Sequence, residues 1–256
     1  MGSRHPGQKA QIGESTTATQ QKVHVQDGGV SERLESIVVP PKEHAPFSSL
    51  LQTEWVRTLA DGGTITWVNE RRIARDGDGR VYQERWALTP KDQKEASMMT
   101  TIQISDPSRH TTYSCFTSSH VCRLSTYDGS TSVIYGVEGP PTGPLPNDLG
   151  FVVQEHLGQQ LVSGMETEGT RESTIYNPGA FGNDRKVTVS REFWYSPQLG
   201  FNLVSKRSDP RFGTQNFTVT NLILSEPDPH LYDLPVGYTV DDVREPAQAP
   251  ASPAKN

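Results

Sequence analysis

Cys115 and Cys122 are the only thiols in the chain and lie in YSCFTSSHVC with six residues between them. A hairpin of that length can fold back and bring two Cβ atoms within disulfide reach. Two reduced thiols, or a metal or reactive thiol, are the other assignments. The metal assignment fails on ligand count, because His120 is the only strong ligand in the loop besides the sulfurs. A hairpin disulfide is therefore expected, and it favours an extracytoplasmic location.

The seven histidines, His5, His24, His44, His110, His120, His156 and His230, show no H-x-H or H-E-x-x-H spacing, so no metal site and no cofactor is expected. Asp76-Gly77-Asp78-Gly79 begins like a calcium loop. It continues through Arg80, Val81, Tyr82 and Gln83, without the later carboxylates that such a loop needs, and reads as a turn. Between Gly164 and Gly169 there is no serine, which excludes a nucleophile elbow, and no glycine-rich strand-to-helix turn that would cradle phosphate. Glu166 and Glu168 share a strand face at i, i+2 and read as solvent-facing acids. No catalytic residue is assigned. The candidate ligand-binding residues are Trp55, Trp67, Trp86, Phe193 and Trp194, which could line an apolar hollow. Large aromatics also serve as ordinary core, and strand parity does not put all five on one face.

The elements that would position these residues are strands. Period-two alternation and turn signals predict strands over 48–59, 64–75, 80–88, 99–106, 111–116, 121–127, 186–195, 201–208 and 214–225, with 161–176 as one long strand or a bent pair. Asp76–Gly79 is the strongest hairpin signal. GVEGPPTGPLPNDLG, 136–150, carries four prolines and four glycines and excludes a central strand. It is expected to be a long connection, either a plain connector or the rim of a binding site, followed by a short helical piece within 148–159. The fold class is mainly β: one large curved antiparallel sheet, half-barrel-like, with one or two short helices. The expected organisation is a disordered or extended segment over 1–40, the β domain over 41–243 and a disordered Pro/Ala tail over 244–256.

The formal net charge of −6 arises from 24 basic and 30 acidic residues with no long block of either sign. No nucleic-acid partner and no polybasic membrane anchor is expected. No run approaches the ~18 apolar residues of a transmembrane helix, and the N-terminus lacks the basic-then-apolar layout of a signal peptide. Met1-Gly2-Ser3 reads as an expression scar in place of a native leader.

Two blocks carry a family resemblance. PFSSLLQTEWVRTLADGGTITWVNERRIARDGDGRVYQERW and the stretch from Gly164 to Val240 resemble a group of exported bacterial proteins of acidobacterial type. The most recognisable pieces are Gly169-Thr170-Arg171, Gly182-Asn183-Asp184, Glu192 to Pro197, Ser208 to Arg211 and Glu226 to Pro229. More remotely, the strand layout is similar to periplasmic lipoprotein-carrier and sigma-regulator-binding domains, in which a curved sheet presents an apolar concave face. The resemblance implies export to the periplasm or beyond; a carrier role follows from it by fold analogy alone. The chain departs from the group in its CFTSSHVC hairpin, its polar first 35 residues and its Pro/Ala tail.

The expected function is therefore an exported binding domain for a lipid or hydrophobic peptide in an apolar concavity. The alternative is a structural or interaction module that meets another envelope protein without a ligand pocket. An envelope hydrolase is the third reading, and a non-enzymatic role is preferred.

Overall fold

The computed structural model describes residues 36–92, 97–127 and 141–244. Alternating segments become β1 (Phe47–Thr58), β2 (Thr64–Arg75), β3 (Val81–Trp86), β4 (Thr89–Pro90), β5 (Met99–Asp106), β6 (Thr111–Phe116) and β7 (Val121–Thr126). The later strands are β8 (Gly143–Pro144), β9 (Gly150–Val162), β10 (Met165–Tyr176), β11 (Val187–Ser196), β12 (Phe201–Asp209), β13 (Gly213–Ile223) and β14 (Thr239–Asp242). They form one open, curled sheet in the order β14-β7-β6-β5-β3-β2-β1-β13-β12-β11-β10-β9-β8, with β4 paired to β2. The order is two meanders of short-looped antiparallel neighbours, joined where β1 pairs with β13. The one departure from an antiparallel sheet is β14, which arrives by a crossover and lies parallel to β7.

Among the described residues the short helical elements are two 3-10 turns, Pro146–Asp148 and Pro229–Tyr232. The helical piece expected within 148–159 is replaced by the 13-residue strand β9. β9 returns into β10 through Ser163 and Gly164, whose φ values of 50° and 81° make a primed two-residue hairpin turn. That turn fixes the register of a bent pair, and it needs Gly164 in the left-handed region. Of the proline-rich connection, 136–140 lies outside the described residues, as do the N-terminal residues 1–35 and the tail from 245.

In an antiparallel pair, directly opposed residues share a face. Register therefore places Phe47, Leu51, Ile73, Val81, Phe217 and Val219 on one side of the sheet. The curl brings Phe201 of β12 against Phe47 of β1, ring centroids 5.1 Å apart, so this side is the inner face. Phe47, Leu51, Ile73, Leu199, Phe201, Leu203, Phe217 and Val219 are at most 2% exposed, a closed apolar end. Residues 36–40 cross it and bury Ile37 and Val39, so packed chain begins before residue 41.

Arg75 is fully buried here. Its guanidinium lies near the Phe47 and Phe201 rings and donates to the carbonyls of Ala45, Pro40 and Leu199 at 3.0, 2.8 and 2.8 Å. A charge so placed, with three of its five donors bonded to carbonyls, ties the lead-in segment and the β11–β12 turn to β2.

On the β3–β7 half the apolar side changes face. Ala74, Tyr82 and Ile104 form a second cluster on the outer side, with Ile102, Tyr113, Leu231 and Tyr232 against it. The inner side of these strands carries Gln83, Gln103, Ser105, Thr112, Ser114 and Ser125 instead.

Candidate functional site

Cys115 and Cys122 stand opposite each other on β6 and β7 and form a cross-strand disulfide, with Cα atoms 3.8 Å apart. Both are fully buried on the outer side. The hairpin closes because His120 takes φ 52° in the four-residue turn.

The five aromatic candidates are divided between the faces. Trp55 and Trp67 are cross-strand partners on the inner face, centroids 5.0 Å apart and both half-buried. The Trp55 indole donates to the Phe212 carbonyl at 2.8 Å. Phe193 is buried on the same face further round the sheet, beside the strap at Ser36–Val38. Trp86 and Trp194 point outward. Trp86 donates to Glu84 at 2.8 Å and Trp194 to Glu192 at 3.0 Å. Trp194 packs against Gly169, where a Cβ would come within 2.6 Å of the ring and 2.9 Å of Leu157 Cβ, so a larger residue there would clash. Backbone twist, bulges at β11–β12 and β3–β5, and the change of apolar side separate residues that spacing alone would group.

The cavities follow the same division. Phe193 lines one of about 30 Å³, room for a single water. A cavity of about 550 Å³ opens on the outer side over β1, β2 and β13, lined by Gln52, Glu54, Glu70, Asn216, Thr218 and Lys91 among others. Its side chains pair with one another: Lys91 with Glu54 at 3.1 Å and Gln52 with Glu70 at 3.0 Å. Neither cavity is lined by Trp55, Trp67, Trp86 or Trp194.

The residues that spacing did not reveal are polar groups on the inner face. In the row next to the tryptophan pair, Thr53 stands between Phe217 and Asn69. Asn69 donates its amide to the Trp86 carbonyl at 2.8 Å, while its Oδ1 is buried without a hydrogen-bond partner among the described residues. Gln215 Oε1, opposite Trp55, is in the same condition, as are Ser49 Oγ and Gln83 Oε1 on neighbouring positions of the face. Native structures leave few such groups orphaned. Their signal in the sequence was polar residues at inward positions of otherwise apolar strands.

Glu192 gathers the outer face of β10–β12. Burial alone would raise its pKa, but hydrogen bonds from Arg171, Trp194 and Lys206 hold it at about 2. His230 lies 2.9 Å from Asp233, with side chains 83% and 71% exposed. That hydrogen bond, with Asp228 nearby, raises the imidazole pKa. The pair belongs to a surface 3-10 turn capped by Asp228. Among the described residues no group of three or more His, Cys, Asp or Glu side chains could hold a metal ion. No described helix is long and apolar enough to cross a membrane.

No family model matches the chain, and no curated protein matches it. Among solved structures it is similar to an uncharacterized conserved protein from Thermus thermophilus, at 6% identity over 78% of this chain and 91% of that one, TM-score 0.37. It is similar to the MucA/MucB complex of Pseudomonas aeruginosa at 13% identity over 75% of this chain and 56% of that one, TM-score 0.35. A LolA-superfamily protein from Nitrosomonas europaea is similar at 7% identity over 75% of this chain and 92% of that one, TM-score 0.27.

Proposed function

We propose that this chain is a non-catalytic binding domain that takes an amphiphilic molecule on the inner face of its curled sheet, at the end away from the closed core. One observation carries this reading: the half-buried Trp55–Trp67 pair beside the orphaned acceptors Asn69 Oδ1 and Gln215 Oε1. An apolar body against the indoles would gain by area burial, roughly 25 cal/mol per Å². A hydroxyl or amide donor on the same molecule would relieve buried acceptors whose desolvation is otherwise uncompensated. The closed end takes no part, because Phe47, Phe201 and Phe217 already fill it. Trp55 and Trp67 are retained as ligand contacts; Phe193, Trp86 and Trp194 are assigned to packing. The buried disulfide supports action in an oxidising compartment such as the periplasm or the extracellular space.

Tryptophan fluorescence quenching by a brominated fatty acid tests this. Quenching is expected in the wild type and in Trp86→Phe and Trp194→Phe, and its loss is expected in the Trp55→Phe/Trp67→Phe double variant. Quenching that persists undiminished in the double variant contradicts it.

The second reading, a protein-interaction module, is favoured by β9. Among the described residues β8 pairs with this strand at Phe151 and Val152, and β9 runs on as the sheet edge to Val162, with Leu161 70% exposed. Such an edge can template another strand.

A further inference from the structure

The inner face carries two neighbouring cations, Arg71 and Arg85, neither of which forms an ion pair with a carboxylate among the described residues; the nearest acidic influence on Arg71 is Glu84. Ile73 pairs with Gln83, so Arg71 and Arg85, each two residues further along, point to the same side of β2 and β3. Arg71 is 4% exposed, and its guanidinium donates only to neutral oxygens, the Glu84 carbonyl at 3.0 Å and Ser36 Oγ at 2.9 Å. Arg85 is half-buried, and among the described residues its guanidinium has no hydrogen bond or ion pair.

The available carboxylates are engaged elsewhere. Glu84 lies on the opposite face, where it accepts from Tyr82, Trp86 and the Arg72 amide. On the inner face Glu172 stands opposite Arg191, and Asp209 accepts from Arg211. Burial pulls the pKa of both Arg71 and Arg85 below the usual guanidinium range, and for Arg71 the charge of Arg85 adds to the effect. Two like charges side by side, partly removed from water, are an unfavourable arrangement that an anion between them would relieve.

We propose that Arg71 and Arg85 hold the anionic head group, a carboxylate or phosphate, of an amphiphile whose apolar chain runs along β2 to Trp67 and Trp55. This rests on the inner-face reading above and names the ligand class. Charge complementarity identifies the head group, and distance identifies the tail. Arg71 and Trp67 are on one face four residues apart, which at the rise of a strand is about 13 Å, the length of roughly ten methylenes. Thr53 and Asn69 lie between the two ends.

Binding of decanoic acid, decanol and inorganic phosphate to the full chain, followed by tryptophan fluorescence and calorimetry, tests this. Decanoic acid is expected to bind about tenfold or more tighter than decanol, as for a charge-assisted contact, with no measurable binding of phosphate alone. Arg85→Gln is expected to bring the acid and the alcohol to within about threefold of each other without weakening the alcohol, and Arg85→Lys to preserve the preference. Thermal melts of both variants check that they fold. Equal affinity for acid and alcohol in the wild type overturns the head-group site and leaves the inner-face reading standing. Binding of phosphate but of neither decyl compound overturns the amphiphile and leaves a bare anion site. Binding of none of the three overturns both readings.

Discussion

Arg75 and Glu192 show how single charged residues organise this sheet from opposite faces. Arg75 is fully buried, and its guanidinium links three backbone carbonyls from two separate parts of the chain, the lead-in segment and the β11–β12 turn. Glu192 does the equivalent on the outer side with three side-chain donors. Because its pKa in the fold is about 2, below the usual glutamate value of about 4.3, the ionised form favours folding. That contribution is complete above about pH 4.3 and disappears as the pH falls through about 2. Glu192→Gln should therefore be less stable than the wild type at pH 7 in urea unfolding, with the difference shrinking towards pH 2. Parallel stability curves over that range would show that the carboxylate contributes nothing. Neither residue was legible beforehand: Arg75 ends a strand next to a turn, where alternation alone favours exposure, and Glu192 looks like any surface acid.

At the scale of elements, alternation found nearly every long strand, because a half-buried strand imprints its period on the sequence. β2, β5 and β6 span the expected residues. β9 was missed because its middle, Gln154 to Gln160, is an exposed edge with a bulge near Leu157 and no apolar face to alternate. β14 was missed for the same reason, since all four of its residues are exposed. The β6–β7 hairpin was legible down to its disulfide. Closing so short a loop should stabilise by about 2–3 kcal/mol through the unfolded chain. Cys115→Ala/Cys122→Ala should lose about that much in denaturant unfolding, and the loss should match that of the reduced wild type. Equal stability of oxidised and reduced protein would contradict it. β14, which pairs with β7 across Cys122, should lose amide protection in the same variant.

Across the whole molecule, the single sheet follows from its alternating strands, but the division of its apolar side between two faces does not. Parity assigns residues to alternate sides of one strand, and it cannot say which side faces protein once the sheet curls and strands from distant segments pair. The β1–β13 half is apolar within, while the β3–β7 half is apolar without, under Leu231 and Tyr232. The aromatic candidates consequently do not share one interior. What remains inside, between the closed core and the tryptophan pair, is a polar and cationic strip that makes an amphiphile a better match than a purely apolar ligand. Native mass spectrometry of freshly purified full chain, with solvent extraction of whatever is released, tests this most directly. An adduct of one amphiphile per chain, absent from Trp55→Phe/Trp67→Phe, is the expected result; a bare wild-type mass that takes up neither a fatty acid nor a phospholipid on titration would contradict the account.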